Sequence, residues 1–355
     1  MPNRAVVMSG GGSKGAFQVG ALDYLIHDQN LDFQVIAGVS TGSLNSVILS
    51  QASSFEELKK IHLQLKDLWF GIKSEDDIYS KRFLGKVLLL VSKNSMYDHK
   101  PLLEMLQRNA SPDRIARSGK ELRIAAVSLE TGNYCEVDQA QPNLLDWTLA
   151  SCSMPLFFPP VQIGREHYVD GGVRSVTPLQ GAFSALKELN PNGQDELPDE
   201  MYVILASPLH AARVDQDWKT GLDVGKRAAG ILVNQIYRED LDYALTINEA
   251  VGGYRELRNA VAGHLGPLTA DSLLAGIQYP YRPPRYREVR IMTVVPSQEF
   301  SEPLQFEPKR IRAAFEAGRE AAKNRLDAGA LRALLDKTNP RKEIRATEPL
   351  MVRTA

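Results

Sequence analysis

The chain has 355 residues, of which 43% are hydrophobic and 24% are charged, and its formal net charge is -1. This composition is typical of a soluble globular protein long enough to bury a large core. The near-zero charge gives no overall field that would favour nucleic acid or an anionic membrane, so we expect no nucleic-acid partner. Two cysteines, Cys135 and Cys152, are too few for a disulfide framework and indicate two buried thiols in a reducing compartment.

The amino-terminal sequence MPNRAVVMSGGG has only a few apolar residues before its glycines, too few for the core of a signal peptide. No apolar run reaches the ~18 residues that a membrane-spanning helix requires. We therefore expect a cytoplasmic protein without a signal peptide or transmembrane segment. Export by a route that cleaves no signal stays open.

The first fifty residues alternate between strand and helix patterns. Residues 4–9 form a short apolar run typical of a buried parallel strand, and apolar residues at helical spacing follow from Ala16 to about His27. Residues 33–39 predict a second strand, and residues 41–50 predict a second helix. The order β-α-β-α indicates a parallel sheet with crossover helices.

The rest of the chain contains further strand and helix patterns. The predicted elements are strands at 122–129, 201–207 and 289–295, a hairpin at 161–169, a turn-rich loop at 190–200, and helices at 222–250 and 308–337. We expect one domain over residues 1–337, with its motif-bearing part at 5–210 and a part without these motifs at 211–337. Residues 338–355 are expected to form a flexible tail.

The segment Gly38-Val39-Ser40-Thr41-Gly42 matches the G-x-S-x-G pattern, with a predicted strand before it and a predicted helix after it. A serine on such a sharp turn projects its hydroxyl from the sheet edge, and glycine at Gly38 and Gly42 removes the clash that the turn would otherwise cause. The pattern therefore indicates a nucleophile elbow. A plain strand-ending turn, with a serine that caps the next helix, is the alternative.

The second motif is a glycine-rich loop, Gly10-Gly11-Gly12-Ser13-Lys14-Gly15, between the first strand and the first helix. Backbone N–H groups in such a loop can converge on an anion, which in an acyl hydrolase is the tetrahedral oxyanion. Lys14 adds a positive charge or faces solvent. Gly10, Gly12 and Gly15 also satisfy the dinucleotide pattern G-x-G-x-x-G, but no acidic residue ends the second strand to hold a ribose.

A nucleophilic serine needs a base, and two candidates stand out. Asp170-Gly171-Gly172 follows the predicted hairpin, and the two glycines form a tight turn that leaves the carboxylate uncrowded. His210, just after the strand predicted at 201–207, is the alternative. No His or metal-ligand cluster accompanies Cys152, and we expect neither a metal nor a cofactor.

Taken in order, GGGSKGAF, GVSTG and DGG resemble the three marks of the patatin-like phospholipases. The stretch ASCSMPLFFPP at 150–160 is similar to the one that precedes the aspartate in that family, and VSLETG at 127–132 resembles its short strand and turn. Ser9 replaces an aspartate that often precedes the glycines, and Ser153 replaces the usual alanine. The similarity extends over residues 5–175 and ends after about 210.

The resemblance implies a three-layer α/β/α fold with a central, mostly parallel sheet. It also implies a Ser40–Asp170 dyad without a histidine, in which Gly11, Gly12 and neighbouring amides hold the oxyanion. The expected activity is metal-independent hydrolysis of a lipid ester. The alternative is a patatin-like protein with little activity that binds lipid or a partner. The sequence leaves the oligomeric state open.

Two segments have a composition from which peripheral contact with a membrane follows as one interpretation. Residues 81–93 combine an apolar run with flanking lysine and arginine, and residues 279–287 mix tyrosine, proline and arginine. A buried helix with solvated ends and an extended proline-rich connector are the preferred interpretations of these two segments, respectively.

Overall fold

The computed structural model describes residues 2–81, 95–191, 198–210, 220–277, 279, 287–300 and 302–338. The segments considered above for membrane contact, the loop at 190–200 and the tail at 338–355 therefore lie largely or wholly outside the described residues. No helix in the described ranges is both long and apolar enough to cross a membrane.

Eleven strands lie in the described part of the chain. They are β1 (Arg4–Met8), β2 (Val35–Gly38), β3 (Ser80–Lys81), β4 (Tyr97–Asp98), β5 (Glu121–Ser128), β6 (Tyr134–Val137), β7 (Val161–Ile163), β8 (Glu166–Asp170), β9 (Asp199–Ile204), β10 (Val289–Val294) and β11 (Leu326–Asp327). All but β3 and β4 belong to one sheet in the order β11-β10-β9-β1-β2-β5-β8-β7, with β6 also paired to β5.

The α-helices are α1 (Gly15–Asp23), α2 (Thr41–Leu49), α3 (Phe55–Gly71), α4 (Lys100–Asn109), α5 (Pro112–Arg117), α6 (Leu144–Ser151), α7 (Leu179–Leu189), α8 (Gly221–Leu265), α9 (Pro267–Ala275), α10 (Pro308–Lys323) and α11 (Ala328–Lys337). The helix predicted at 222–250 continues to Leu265. The segment at 308–337 is two helices, because the short strand β11 pairs with β10 between them.

The central five strands, β10, β9, β1, β2 and β5, run parallel, as the β-α-β-α pattern predicted. The antiparallel pairs involve β6, β7, β8 and β11. The sheet is therefore mostly parallel at its centre and antiparallel towards both edges. Its parallel strands are buried on both faces, which explains their nearly continuous apolar sequences.

Helices cover both faces of the sheet and give three layers. Val6, Met8 and Ile36 on one face pack into a cluster that includes residues of α1, α3 and α10. Their neighbours Ala5 and Val7 point to the other face, where the cluster contains residues of α7, α8 and α11. The alternation follows from the two-residue period of a strand. The predicted α/β/α architecture is confirmed.

The position of β8 brings two distant parts of the chain together. Gly38 at the end of β2 pairs with Ile124 of β5, and Asp170 at the end of β8 pairs with Ala126. Strand β6 pairs with both Ile124 and Ala126, so it occupies the other edge of β5. Strands β2 and β8 therefore lie end to end along one edge of β5, and their carboxyl ends meet.

Candidate active site

Ser40 lies between β2 and α2 in a strained backbone conformation, with φ of 55° and ψ of -128°. A non-glycine residue rarely adopts a positive φ, and such strain is concentrated at functional sites. A Cβ on Gly38 would lie 2.2 Å from the Gly42 carbonyl oxygen, and one on Gly42 would lie 2.2 Å from the Met8 carbonyl oxygen. Both glycines therefore make the turn possible, as the G-x-S-x-G pattern predicted.

The Ser40 backbone is held by residues that the sequence did not single out for this purpose. Its N–H donates to the Ser151 hydroxyl at 3.0 Å, and its carbonyl oxygen accepts from the Ser43 hydroxyl at 2.6 Å. The Cys152 thiol also points at that carbonyl, at 3.1 Å, and burial raises its pKa. Cys152 is therefore a buried neutral donor, consistent with the expectation that it is not a nucleophile.

The structure brings Asp170 to Ser40. Both side chains are buried, and the Ser40 hydroxyl lies near enough to the Asp170 carboxyl to lower its pKa. The same carboxylate accepts the Gly172 N–H at 2.8 Å. Burial raises the pKa of Asp170 from 3.8 to about 6, because the nearby Ser40 hydroxyl and the Gly172 N–H only partly replace the lost water.

Histidine takes no part in this arrangement. None of the hydrogen bonds recorded for Ser40 or Asp170 across the described ranges involves a histidine ring. His210, the alternative base, is exposed and lines a separate cavity. The geometry therefore favours a two-residue site over a Ser-His-Asp triad.

The glycine loop has fewer available donors than its sequence suggested. The N–H groups of Gly10 and Ser13 donate to the carbonyl oxygens of Val176 and Pro303 at 3.0 and 2.8 Å. The N–H groups of Lys14 and Gly15 donate back to Gly11 and Gly12 within the loop.

The N–H groups of Gly11 and Gly12 are the two that remain in the loop. Among the described residues, neither N–H has a backbone acceptor. The N–H groups of the other four loop residues thus form the hydrogen bonds that fix the shape of the loop. They also leave few amides for a dinucleotide pyrophosphate.

Lys14 neither faces solvent nor stands free beside the nucleophile. It is buried, with its Nζ 2.6 Å from a Glu299 carboxylate oxygen and 2.8 Å from the Ser207 hydroxyl. The Ser13 hydroxyl donates to the Glu302 carbonyl oxygen at 3.0 Å. The loop is therefore held from the carboxyl-terminal part of the chain by Glu299, Glu302 and Pro303, for which the sequence gave no functional signal.

The two departures from the family pattern are accommodated by hydrogen bonds. The Ser9 hydroxyl accepts the Ala206 N–H at 2.9 Å and lies 3.2 Å from the Tyr237 hydroxyl. The Ser153 hydroxyl donates to the Leu149 carbonyl oxygen at 2.9 Å, and its own carbonyl accepts the Asp170 N–H at 3.0 Å. Ser153 thus helps to position the aspartate.

A cavity of about 770 Å³ opens at Ser40 and Gly12. Leu44 and Ile48 follow Ser40 at four-residue spacing on α2 and line its wall, so the cavity extends along the helix from the nucleophile. Its other lining residues include Leu65, Leu68, Trp69, Ile72, Leu102, Met105, Met154, Phe158, Leu304 and Phe306, together with polar groups such as Asp67, Arg108 and Arg114. A mostly apolar cavity of this size fits an alkyl chain.

A second group of titratable side chains lies on α1, α3 and the segment that follows α1. His27 and His62 face each other with Nε2 and Nδ1 3.1 Å apart, and Asp23 lies beside His62. Arg319 forms an ion pair with Asp23, and Lys66 lies 4.0 Å from it. These cations already balance the carboxylate, so the group is better described as a buried ion pair than as a metal centre.

Comparison with known proteins identifies the family of the chain. The profile of the family "Patatin-like phospholipase" matches residues 6–183, which is half of the chain. The chain therefore belongs to the patatin-like phospholipase family.

Individual relatives match part of the chain. Triacylglycerol lipase 4 of Saccharomyces cerevisiae is 32% identical over 165 residues, 44% of this chain and 18% of the relative. Patatin-2-Kuras 4 of Solanum tuberosum is 25% identical over 197 residues, 48% of this chain and 50% of the relative. The chain thus spans half or less of the length of these relatives. Among solved structures, VipD from Legionella pneumophila aligns with 95% of this chain and 67% of its own at 12% identity and a TM-score of 0.40.

Proposed function

We propose that the protein hydrolyses acyl esters of lipids, with Ser40 as nucleophile and Asp170 as its base. The observation that carries the proposal is the proximity of these two buried side chains at a strained elbow. A serine hydroxyl is a weak nucleophile until an adjacent base accepts its proton. Family membership supports the same chemistry.

In the proposed reaction, Ser40 Oγ attacks the ester carbonyl carbon while its proton passes to Asp170. The tetrahedral oxyanion accepts hydrogen bonds from the Gly11 and Gly12 N–H groups, and the amino-terminal end of α2 adds a favourable field. Collapse of this intermediate expels the alcohol, which takes the proton from Asp170. Water then attacks the acyl-enzyme, gives a proton to Asp170, and releases the carboxylic acid as that proton returns to Ser40.

The environment of Asp170 suits the role of base. A carboxylate with a pKa near 6 holds a proton more strongly than an ordinary aspartate, yet it is largely ionised at neutral pH. We expect the hydrolytic rate to increase as the pH rises through about 6.

The cavity beside Ser40 suggests the acyl chain as the part of the substrate that is recognised. Each methylene moved from water into an apolar wall contributes about 0.8 kcal/mol, which is roughly fourfold in binding. We therefore expect longer acyl chains to be preferred over acetyl or butyryl esters until the cavity is full.

Fluorophosphonate labelling tests the proposal. Wild-type protein should be labelled at Ser40 and should hydrolyse p-nitrophenyl esters, and Ser40→Ala should lose both properties while keeping its fold. Ser50→Ala is a matched control, because that hydroxyl lies just after α2, is buried, and has no hydrogen-bond partner among the described residues. Labelling that persists at Ser151 in the Ser40→Ala variant would contradict the assignment.

Two alternatives predict other outcomes. A binding protein with little activity would bind lipid without labelling or turnover. A dinucleotide-binding protein would bind NAD or ATP with micromolar affinity in calorimetry and would hydrolyse no ester.

A further inference from the structure

Six successive residues of α8, at 228–233, form an apolar segment that is exposed on every side. Their sequence is AAGILV, and Ile231, Leu232 and Val233 are 48%, 65% and 40% exposed. At 3.6 residues per turn, six exposed residues extend more than once around the helix. A helix that is apolar on all sides is normally buried in a core or in lipid.

The exposed apolar segment also lacks charge. Residues 228–237 read AAGILVNQIY and contain no aspartate, glutamate, lysine or arginine. An exposed helix of a soluble protein ordinarily carries charged residues on its solvent side. This segment therefore has the character of a surface that something apolar covers.

Contacts along α8 place the segment beside the active site. Asn234 donates to the Pro208 carbonyl oxygen at 2.9 Å, and the Tyr237 hydroxyl contacts Ser9; Pro208 and Ser9 follow the carboxyl ends of β9 and β1. Farther along, Asn248 accepts the N–H of Val289, at the start of β10. Helix α8 thus crosses the sheet from its carboxyl edge to its amino edge.

Residues 221–233 of α8 precede Asn234, the first of these contact residues. At 1.5 Å per residue they provide about 20 Å of helix, which extends beyond the carboxyl edge of the sheet. Ser40 and Asp170 lie at this same edge. Ser40 follows β2 and Asp170 ends β8, and the carboxyl ends of these two strands meet there. Exposed leucines also occur at the opposite end of α8, at Leu265, and at the start of α9, at Leu268, but this end lies beyond the amino edge.

We propose that the exposed apolar segment inserts into the surface of the bilayer or micelle that holds the substrate, and so turns the active-site edge towards the lipid. This inference rests on the proposed function, because a lipid ester has to reach Ser40 from such a surface. A flat protein partner would cover one side of the helix, whereas the boundary between headgroups and acyl chains can surround it. The lack of charge favours insertion driven by apolar contact, which salt affects little.

Vesicle binding tests the inference without turnover. In a Ser40→Ala background, the protein should co-sediment with phosphatidylcholine vesicles, and raising the salt from 0.1 to 0.5 M (roughly a twofold shorter Debye length) should change binding by less than about twofold. Leu232→Glu should weaken binding at least about tenfold. Leu268→Glu is the matched control, because it places the same charge on an exposed leucine at the opposite edge, and it should have little effect.

A second readout separates failure of docking from failure of the proposed function. With Ser40 intact, Leu232→Glu should reduce hydrolysis of vesicle lipid and should leave hydrolysis of a water-soluble butyrate ester unchanged. If the wild type hydrolyses neither substrate, the proposed function fails, and the vesicle experiment still decides the docking surface.

Two results would overturn the inference. One is equal vesicle binding by the parent and by Leu232→Glu. The other is a dimer in sedimentation velocity that Leu232→Glu dissociates, because a second copy of the chain would then cover the segment.

Discussion

Replacing Asp170 with asparagine should inactivate the enzyme and stabilise its fold. The asparagine keeps the side-chain shape and an oxygen that can accept the Gly172 N–H, but it removes the buried charge. We expect the rate of ester hydrolysis to fall by about 10²-fold or more, because no base remains to accept the Ser40 proton.

The expected stability gain follows from the pKa of Asp170. That pKa is raised from 3.8 to about 6, and each pKa unit corresponds to 1.36 kcal/mol, so ionisation destabilises the native state by about 3 kcal/mol. Between pH 3.8 and 6 the folded chain retains a proton that the unfolded chain has lost. The free energy of unfolding of the wild type therefore falls as the pH rises through this window.

Asp170→Asn lacks this penalty. Its advantage should be absent below pH 3.8, grow between pH 3.8 and 6, and level off at up to about 3 kcal/mol above that. Urea unfolding followed by tryptophan fluorescence at pH 3.5, 5 and 7.5 measures it. His210→Ala should leave the rate unchanged, and Glu316→Gln, at an exposed carboxylate on α10, should change stability by less than about 0.5 kcal/mol.

Two outcomes would refute this reasoning. If His210→Ala abolished hydrolysis and Asp170→Asn did not, a histidine would be the base. If Asp170→Asn were less stable than the wild type at pH 7.5, the surroundings would stabilise the ionised carboxylate, and the pKa of Asp170 would not be raised by burial.

Five further substitutions probe the loop and the cavity. A Cβ on Gly11 would lie 2.4 Å from that of Ala206, so Gly11→Ala should lower kcat by about 10²-fold with little change in KM, and Ala206→Gly should restore part of it. Ile48→Trp should shorten the preferred acyl chain in a p-nitrophenyl ester series, with about a fourfold loss in kcat/KM per excluded methylene. Lys14→Met should lower the urea midpoint. Glu299→Gln should lower the urea midpoint less in the Lys14→Met variant than in the wild type, because the two charges form one pair.

Local sequence determined the elbow and the elements around it. The strand, turn and helix around Ser40 depend on residues within about ten positions, and Gly38 and Gly42 are required by contacts inside that unit and with β1. The β-α-β-α pattern and the parallel centre of the sheet follow from apolar periodicity, which strands and helices show directly. The family resemblance drawn from the motifs is confirmed by the profile match.

The meeting of Ser40 with Asp170 depended on tertiary structure. The sequence marks each residue by the glycines beside it. The two side chains come together only because β2 and β8 both pair with the same edge of β5. Strand pairing between distant segments depends on the order of the whole sheet, which local periodicity does not contain. The raised pKa of Asp170 has the same origin, because it arises from burial within the assembled fold.

The glycine loop shows the same division. Its sequence determined that backbone N–H groups can converge there, because no side chains obstruct them. Which of these groups stay available is decided by carbonyl oxygens from remote segments, those of Val176 and Pro303, which take the Gly10 and Ser13 donors and leave those of Gly11 and Gly12. A hydrogen bond between segments so far apart in the chain forms only once the fold is complete.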